Sequence, residues 1–355
     1  MPRSRELAEL ATSYDSGGSL GFRNRIINGD CRIDQRNNGA SVTPAADGYT
    51  IDRWFHQLSQ ASKISVQRST TAPAGFINSA LITSLSAYSV GVNDFFNIVQ
   101  AVEGLNVADL GWGTANAQTI TISFWVRSSL TGTFGGAVLN NNQSRAYPFT
   151  YTISAANTFE QKTVTIAGDT SGTWLTTNGI GLRLSFGLGA GSNYSAAAGA
   201  WASGVYLSAT GATSVVGTNG ATFYITGVQL EAGSVATPFE RRDYGRELIM
   251  CQRYLPAYTG GVEMLGYWDG TNSAKIVAPF LVESRVAPTG VTTSGSFNIH
   301  APGSGSPATT SIAFARATTT SGRLTCDVAS GGLSTSAAAA LNSSAGKILF
   351  TGCEL

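Results

Sequence analysis

Apolar and polar side chains alternate along most of this chain in short runs, with the period of a strand. Residues 119–126 place Ile120, Ile122, Phe124 and Val126 on one side and leave the other side mostly polar. That two-residue repeat is what a half-buried strand requires. Runs at 146–153, 161–166, 179–188 and 222–230 follow, separated by loops rich in Asn, Gly and Ser. Residues 25–33 alternate in part, 49–56 bracket Ile51 and Trp54 with polar neighbours, and 98–110 read as a strand followed by a loop. Many short strands at such intervals predict a β-sandwich or jelly roll.

Two stretches break the two-residue period. Residues 4–11 have helical character, with Leu7, Leu10 and Tyr14 at i, i+3 and i+7 on one face. A helix that short does not recover its nucleation cost alone, so it calls for a partner surface. Asp15-Ser-Gly-Gly-Ser19 after it reads as a flexible tether. The second stretch, 243–254, puts Leu248, Cys251 and either Tyr254 or Leu255 on one side, and Pro256 ends it. Beyond lies another β-rich region, with strands predicted at 261–267, 274–282, 290–300, 309–317, 322–329 and 346–352. The predicted architecture is mainly β, with four parts. A short N-terminal helical peptide (1–21) precedes a jelly-roll-like β-sandwich (22–240). A linker helix (241–255) then leads to a second β-sandwich (256–355).

Composition supports this and narrows the chemistry. Of 355 residues, 12% are charged and 10% aromatic, and 42 are glycine. Few charges with abundant turn formers favour short strands, and the aromatics supply cores that a disordered chain lacks. A net charge of +1 argues against a nucleic-acid partner, because phosphate backbones are held by clustered Lys and Arg. Arg23/Arg25 and Arg241/Arg242 read as structural ion pairs at chain corners. No run suits a membrane span, and the first residues lack the apolar core of a signal peptide. Cys31, Cys251, Cys326 and Cys353 have no metal-ligand spacing and read as small buried hydrophobes. Whether Cys326 and Cys353 meet is left open.

Candidate chemistry is sparse. The histidines are His56 and His300, without a nucleophile or metal motif around either. His56 reads as a strand-surface side chain. Asp30 and Asp34 have Arg25, Arg32, Arg36 and Arg53 as ready partners, so ion pairing is preferred to acid catalysis. Sugar recognition suits the composition better, since sugar rings stack on Trp or Tyr while amides and carboxylates take their hydroxyls. Tyr267-Trp268-Asp269-Gly270-Thr271-Asn272 runs into an Asp-Gly turn and predicts an exposed tip with Tyr267, Trp268, Asp269 and Asn272 as contacts. Trp174 and Trp201, in Gly- and Ser-rich surroundings, are the other candidates; a core or intersubunit role is the competing reading for all of them. Trp54, Trp112 and Trp125 read as core.

One segment carries more identity than the rest. Residues 228–254 read Val-Gln-Leu-Glu-Ala-Gly-Ser-Val-Ala-Thr-Pro-Phe-Glu-Arg-Arg-Asp-Tyr-Gly-Arg-Glu-Leu-Ile-Met-Cys-Gln-Arg-Tyr. With Gly21-Phe22-Arg23-Asn24-Arg25-Ile26-Ile27-Asn28-Gly29-Asp30 and Asp52-Arg53-Trp54, this resembles the β-domain and junction of many tailed-phage tail-fibre and virion structural proteins. Ala278-Pro279-Phe280 and residues 285–289 resemble the prolyl punctuation of that family's C-terminal domain. The resemblance spans most of residues 20–290, and nothing after about residue 299 contributes to it. It implies a virion component assembled in the host cytoplasm, most simply a homotrimeric, receptor-binding tail fibre. The N-terminal peptide, through Leu7, Leu10 and Tyr14, would join it to other tail or virion proteins, and the partner outside would be host surface polysaccharide. No catalysis, cofactor, metal, nucleic acid or membrane insertion is expected. By position, Asp30 and Glu231 resemble acids that hold structural calcium in carbohydrate-binding jelly rolls, but two ligands are too few for a hard cation. A capsid-decorating head fibre or tail-hub component is the alternative, and a polysaccharide depolymerase the third reading.

Overall fold

The computed structural model describes residues 22–300, 305–330 and 337–355. The expected N-terminal helix, with Leu7, Leu10 and Tyr14, lies outside them. The chain divides between Arg242 and Asp243 into two compact units, Leu355 grouping with the first.

The first unit begins its strands with β1 (Gly48–Ile51), β2 (Trp54–Leu58), β3 (Ile64–Ser69), β4 (Ser79–Ser84) and β5 (Phe95–Glu103). Then come β6 (Ile120–Ser128), β7 (Gly132–Leu139), β8 (Arg145–Ile153), β9 (Glu160–Ile166) and β10 (Ile180–Ala190). Short β11 (Ser195–Ala196), β12 (Ala202–Ser203) and β13 (Ser208–Ala209) precede the long β14 (Thr222–Ala232). A seven-stranded sheet, β1-β2-β5-β10-β7-β8-β12, faces a five-stranded sheet, β3-β4-β14-β6-β9. The crossovers between non-consecutive strands make this a jelly-roll-like sandwich. Its core takes Phe96, Leu184 and Phe186 from one sheet and Ile122, Phe124 and Phe223 from the other. Phe124 and Phe186 meet between the layers with ring centroids 5.0 Å apart. Each such ring contributes about 2–3 kcal/mol of burial.

Residues 22–33 depart from the expected strand. Asn28 and Cys31 take left-handed backbone angles, φ 58° and 55°, which interrupt a regular ladder. Side chains order the segment instead. Asn28 Nδ2 donates to the carbonyls of Ile33 (2.8 Å) and Asp52 (2.9 Å), and Trp54 Nε1 donates to the Asn28 carbonyl (2.9 Å). The segment is pinned along the end of β14: Arg25 N bonds the Leu230 carbonyl at 2.9 Å and Val228 N bonds the Gly29 carbonyl at 3.0 Å. Position 29 has to be glycine, because a Cβ there would stand 2.2 Å from the Val228 oxygen.

Residues 228–242 close on the same segment. The Asn24 amide donates to Glu240 at 2.5 Å, and Arg242 donates to the Ile26 carbonyl at 3.0 Å and to that of Asn24. Glu231, buried, accepts from Thr237 N (2.9 Å), Thr237 Oγ1 (2.6 Å) and Gln229 Nε2 (2.9 Å). The signature stretch is thus a clasp joining both ends of the first unit.

The second unit opens with helix α1 (Tyr244–Gln252), shorter than expected at each end. Asp243 caps it by accepting from Arg246 N at 2.9 Å. Next come β15 (Ala257–Tyr258), β16 (Val262–Gly270), β17 (Ser273–Pro279), β18 (Gly290–Ser294) and β19 (Asn298–His300). The last are β20 (Thr309–Ala317), β21 (Ser321–Val328), β22 (Ala338–Ser343) and β23 (Lys347–Thr351). A three-stranded sheet, β15-β23-β18, packs against a six-stranded one, β19-β22-β16-β17-β21-β20. Between them lie Met264, Trp268, Ile276, Leu324, Leu341 and Phe350. This is the second β-sandwich. All four cysteines are buried, and Cys326 and Cys353 are not joined in a disulfide.

Candidate functional site

Three tryptophans remote in sequence meet at the rim of the first sandwich. Trp112 follows two 3-10 turns, Gly104–Asn106 and Ala108–Leu110; Trp174 lies in the loop between β9 and β10; Trp201 immediately precedes β12. Their rings pack edge to face, with centroids 4.6 Å (Trp112–Trp174), 5.4 Å (Trp112–Trp201) and 5.5 Å (Trp174–Trp201) apart. Tyr147 of β8 adds a fourth ring, 5.2 Å from Trp201.

Every indole N–H in the cluster is satisfied. Trp112 donates to the Gln118 carbonyl (2.7 Å), Trp174 to Ser171 (3.1 Å) and Trp201 to Ala167 (2.8 Å). Those bonds fix each ring and leave the remaining exposed surface apolar, as a stacking platform requires. Trp112 is only 7% exposed and forms the base, while Trp174 and Trp201 are half-buried. Beside them Val107, Leu110 and Leu175 line a shallow apolar cleft.

The loop carrying Trp174 is held by a partly buried ion pair. Arg145 donates through Nε to Asp169 Oδ2 at 2.8 Å and through Nη2 to Oδ1 at 2.7 Å, the bidentate geometry that favours arginine. Burial by itself would raise the Asp169 carboxyl, but bonds from Arg145 and Ser171 outweigh it and hold the group below the usual range. The Arg145 guanidinium also lies 6.0 Å from the Trp201 ring centre. The arrangement offers rigid aromatic surface with a fixed charge behind it, and holds no base poised against a nucleophile.

The predicted contacts thus separate into two groups. Trp174 and Trp201 come together, with Trp112, Tyr147, Arg145 and Asp169 joining them unforeseen. The other four belong to the β16–β17 hairpin, whose two-residue turn, Thr271-Asn272, is exposed as expected. Tyr267 is 40% exposed, and Asp269 pairs with Lys275 at 3.3 Å. Trp268 is a correction. It is 0% exposed, because it lies in phase with Val262 and Met264 on β16 and therefore faces the core. It presents no surface to a sugar.

Two further readings change. His56 is not on the surface: it is 4% exposed, with Nδ1 3.2 Å from Thr50 Oγ1 and Nε2 3.1 Å from the Ala46 carbonyl. Trp125, expected in the core, is half-buried on the opposite side of β6 from Phe124 and Val126. Asp30 pairs with Arg32 at 2.9 Å, while Asp34 accepts from Asn37 N (2.9 Å) and Gly39 N (2.6 Å). Among the described residues no group of three or more His, Cys, Asp or Glu could hold a metal ion.

No family model matches the chain, and no curated protein matches it. Several solved structures are similar in fold. The enzymatically active domain of tailspike protein 4 from bacteriophage CBA120 is 14% identical, with TM-score 0.35 over 61% of this chain and 22% of that one. The present chain therefore spans about a fifth of that protein's length. A family 61 carbohydrate-binding module in complex with β-1,4-galactotriose is 10% identical, with TM-score 0.31 over 59% of this chain and 99% of that one. A family 11 module from Clostridium thermocellum is 10% identical, with TM-score 0.30 over 54% of this chain and 95% of that one. At such scores the likeness carries no argument about activity. The mainly β, jelly-roll-like architecture rests on the strand order itself.

Proposed function

We propose that this chain is a structural protein of a tailed-phage particle, a trimeric fibre that attaches to glycan on the host surface. The observation that carries the attachment half is the Trp112–Trp174–Trp201 cluster. Its indole donors are all used internally, so what it presents outward is apolar ring surface of the kind sugar faces stack upon. The virion half is supported by the resemblance of residues 228–254 and 21–30. Threefold display would raise avidity for weakly held sugars without any new contact. The role is binding without bond cleavage.

The test is binding of the full chain to a panel of bacterial surface polysaccharides, beside Trp174→Ala and Trp201→Ala variants. Binding that drops at least tenfold in both variants, which is about 1.4 kcal/mol, supports the reading. Equal binding by all three proteins removes the platform. Native mass measurement addresses the trimer, and labelling of intact particles separates fibre from head decoration. Shortening of the polysaccharide by the pure protein would make it a depolymerase.

A further inference from the structure

The shallow cleft beside the tryptophan cluster is walled mainly by hydrocarbon. Val107, Ala108 and Leu110 come from the two 3-10 turns and their junction, and Trp112 follows them. Trp174 and Leu175 come from the loop before β10. Trp112 and Trp174 line the cleft and also pack against each other and against Trp201 in the cluster. A sugar ring stacked on Trp174 therefore has the cleft beside it.

Apolar side chains alone do not make a wall selective, because backbone groups run through it. In the turns those groups are engaged. The Val107 carbonyl accepts from Leu110 N at 3.1 Å, that of Ala108 from Gly111 N at 3.3 Å, and that of Leu110 from Gln118 N at 2.8 Å. The Asp109 carbonyl takes Gln118 Nε2 at 2.9 Å. Both indole N–H groups are bonded to carbonyls, those of Gln118 and Ser171. Arg145 and Asp169 face each other, so neither offers the site a free charge. Among the described residues Thr176, which is exposed, supplies the one side-chain hydroxyl of the lining.

The cleft is also small. Its free space is about that of a single water-sized group. A methyl suits both the size and the chemistry, because it leaves water and demands no hydrogen bond in return. A hydroxymethyl group at the same place loses water and finds few partners, which is unfavourable. An acetamido group overfills the space and brings an N–H and a carbonyl that need partners of their own. One carbon more or less in an apolar pocket changes affinity by about tenfold or more.

We infer that the cleft takes the methyl group of a neutral 6-deoxyhexose whose ring stacks on the neighbouring tryptophans. Trp174 serves both parts of the sugar, its ring as platform and its edge as a wall of the cleft. The inference rests on the glycan-attachment reading above and narrows it to a substrate class, surface polysaccharide that contains 6-deoxy sugars.

The experiment measures binding of the full chain to matched oligosaccharides of L-rhamnose against L-mannose and of L-fucose against L-galactose. The members of each pair differ in a methyl against a hydroxymethyl group. A further pair sets N-acetylglucosamine against glucose. For at least one deoxy pair the native protein should hold the deoxy member about tenfold more tightly. Ala108→Leu, at an exposed position of the lining, fills the cleft and should bring that ratio to about one. Val107→Thr keeps the side-chain shape, adds a hydroxyl to the wall and should cut the ratio about threefold. Trp201→Ala should weaken both members alike and preserve the ratio, so loss of the platform and loss of the methyl site are told apart. Equal binding within every deoxy pair overturns the inference and leaves the platform standing. So does a ratio that survives intact in Ala108→Leu or in Val107→Thr. A preference confined to the N-acetyl pair overturns it as well, in favour of acetamido sugars. Native protein that binds no member removes the platform and the cleft assignment together.

Discussion

Arg242 donates to the backbone carbonyl of Ile26 at 3.0 Å, joining positions 216 residues apart in the chain. The same guanidinium reaches the Asn24 carbonyl, and Glu240 takes the Asn24 amide. The arginine-rich stretch after Pro238 and the opening Asn-Arg-Ile-Ile are two halves of one hydrogen-bonded closure. That accounts for their appearance together without any ligand.

Arg242→Ala should destabilise the first unit by about 3 kcal/mol, because two backbone carbonyls in a buried setting lose their donor. Arg242→Lys should recover less than half, since one ammonium cannot reproduce the fork. Chemical denaturation followed by tryptophan fluorescence measures both. A midpoint unchanged in the alanine variant would show the clasp to be incidental.

Gly29→Ala tests the same closure from the other side. The new methyl would sit 2.2 Å from the Val228 oxygen, and a backbone atom cannot swing aside as a side chain does. A loss of about 3 kcal/mol or more is expected, visible as a lower melting temperature or as insoluble protein.

His56 should make stability fall in mild acid. Burial holds its folded-state pKa below 6.5, so on acidification the unfolded chain takes up the proton first. The contribution is complete above about pH 6.5 and is lost as pH drops from there towards the depressed folded value. The Ala46 carbonyl can only accept, so Nε2 carries the hydrogen and Nδ1 accepts from Thr50. His56→Gln should flatten the change in denaturation midpoint between about pH 7.5 and about pH 5.5. An equally steep change would assign it to other groups.

Asp169→Asn should cost about 1–2 kcal/mol by replacing the carboxylate that Arg145 grips with a neutral amide. It should also shift tryptophan emission to the red as the Trp174 loop loosens. Sugar binding at the platform should weaken with it. Unaltered emission would mean the loop is held by other contacts.

In the second unit, Trp268→Ala should cost about 3–5 kcal/mol through the cavity it leaves. Tyr267→Ala, one residue away on the outer face, should change stability by less than about 0.5 kcal/mol. Thermal melts of the two variants decide this directly, and similar losses would contradict the strand phase.

Strand phase was legible wherever side chains were large enough to mark it. Ile120, Ile122, Phe124 and Val126 announce β6, and Asp243 with Pro256 brackets α1. β7 reads Gly-Thr-Phe-Gly-Gly-Ala-Val-Leu, too poor in polar markers to show alternation, and so was not expected. β22, half of it alanine, lacks such markers for the same reason. The errors over Trp268 and His56 share one cause. Trp268 is in step with Met264, and His56 with Trp54 and Leu58, so the strand period, and not the residues adjoining each, decides which way it faces. The tryptophan cluster could not be foreseen. Positions 112, 174 and 201 share no periodic relation, and only the closed sheets bring their loops to one rim.

The clasp also settles how the first unit takes mechanical strain. Residues 22–26 and 240–242 lie side by side, so a pull on the two ends enters and leaves at one corner. Tension first loads the few bonds of Arg242, Glu240 and Asn24 and the backbone bonds that Arg25 and Gly29 make with β14, before it reaches the other strands. The tightness of that knot, and not the depth of the aromatic interior, sets the force at which this unit begins to unravel.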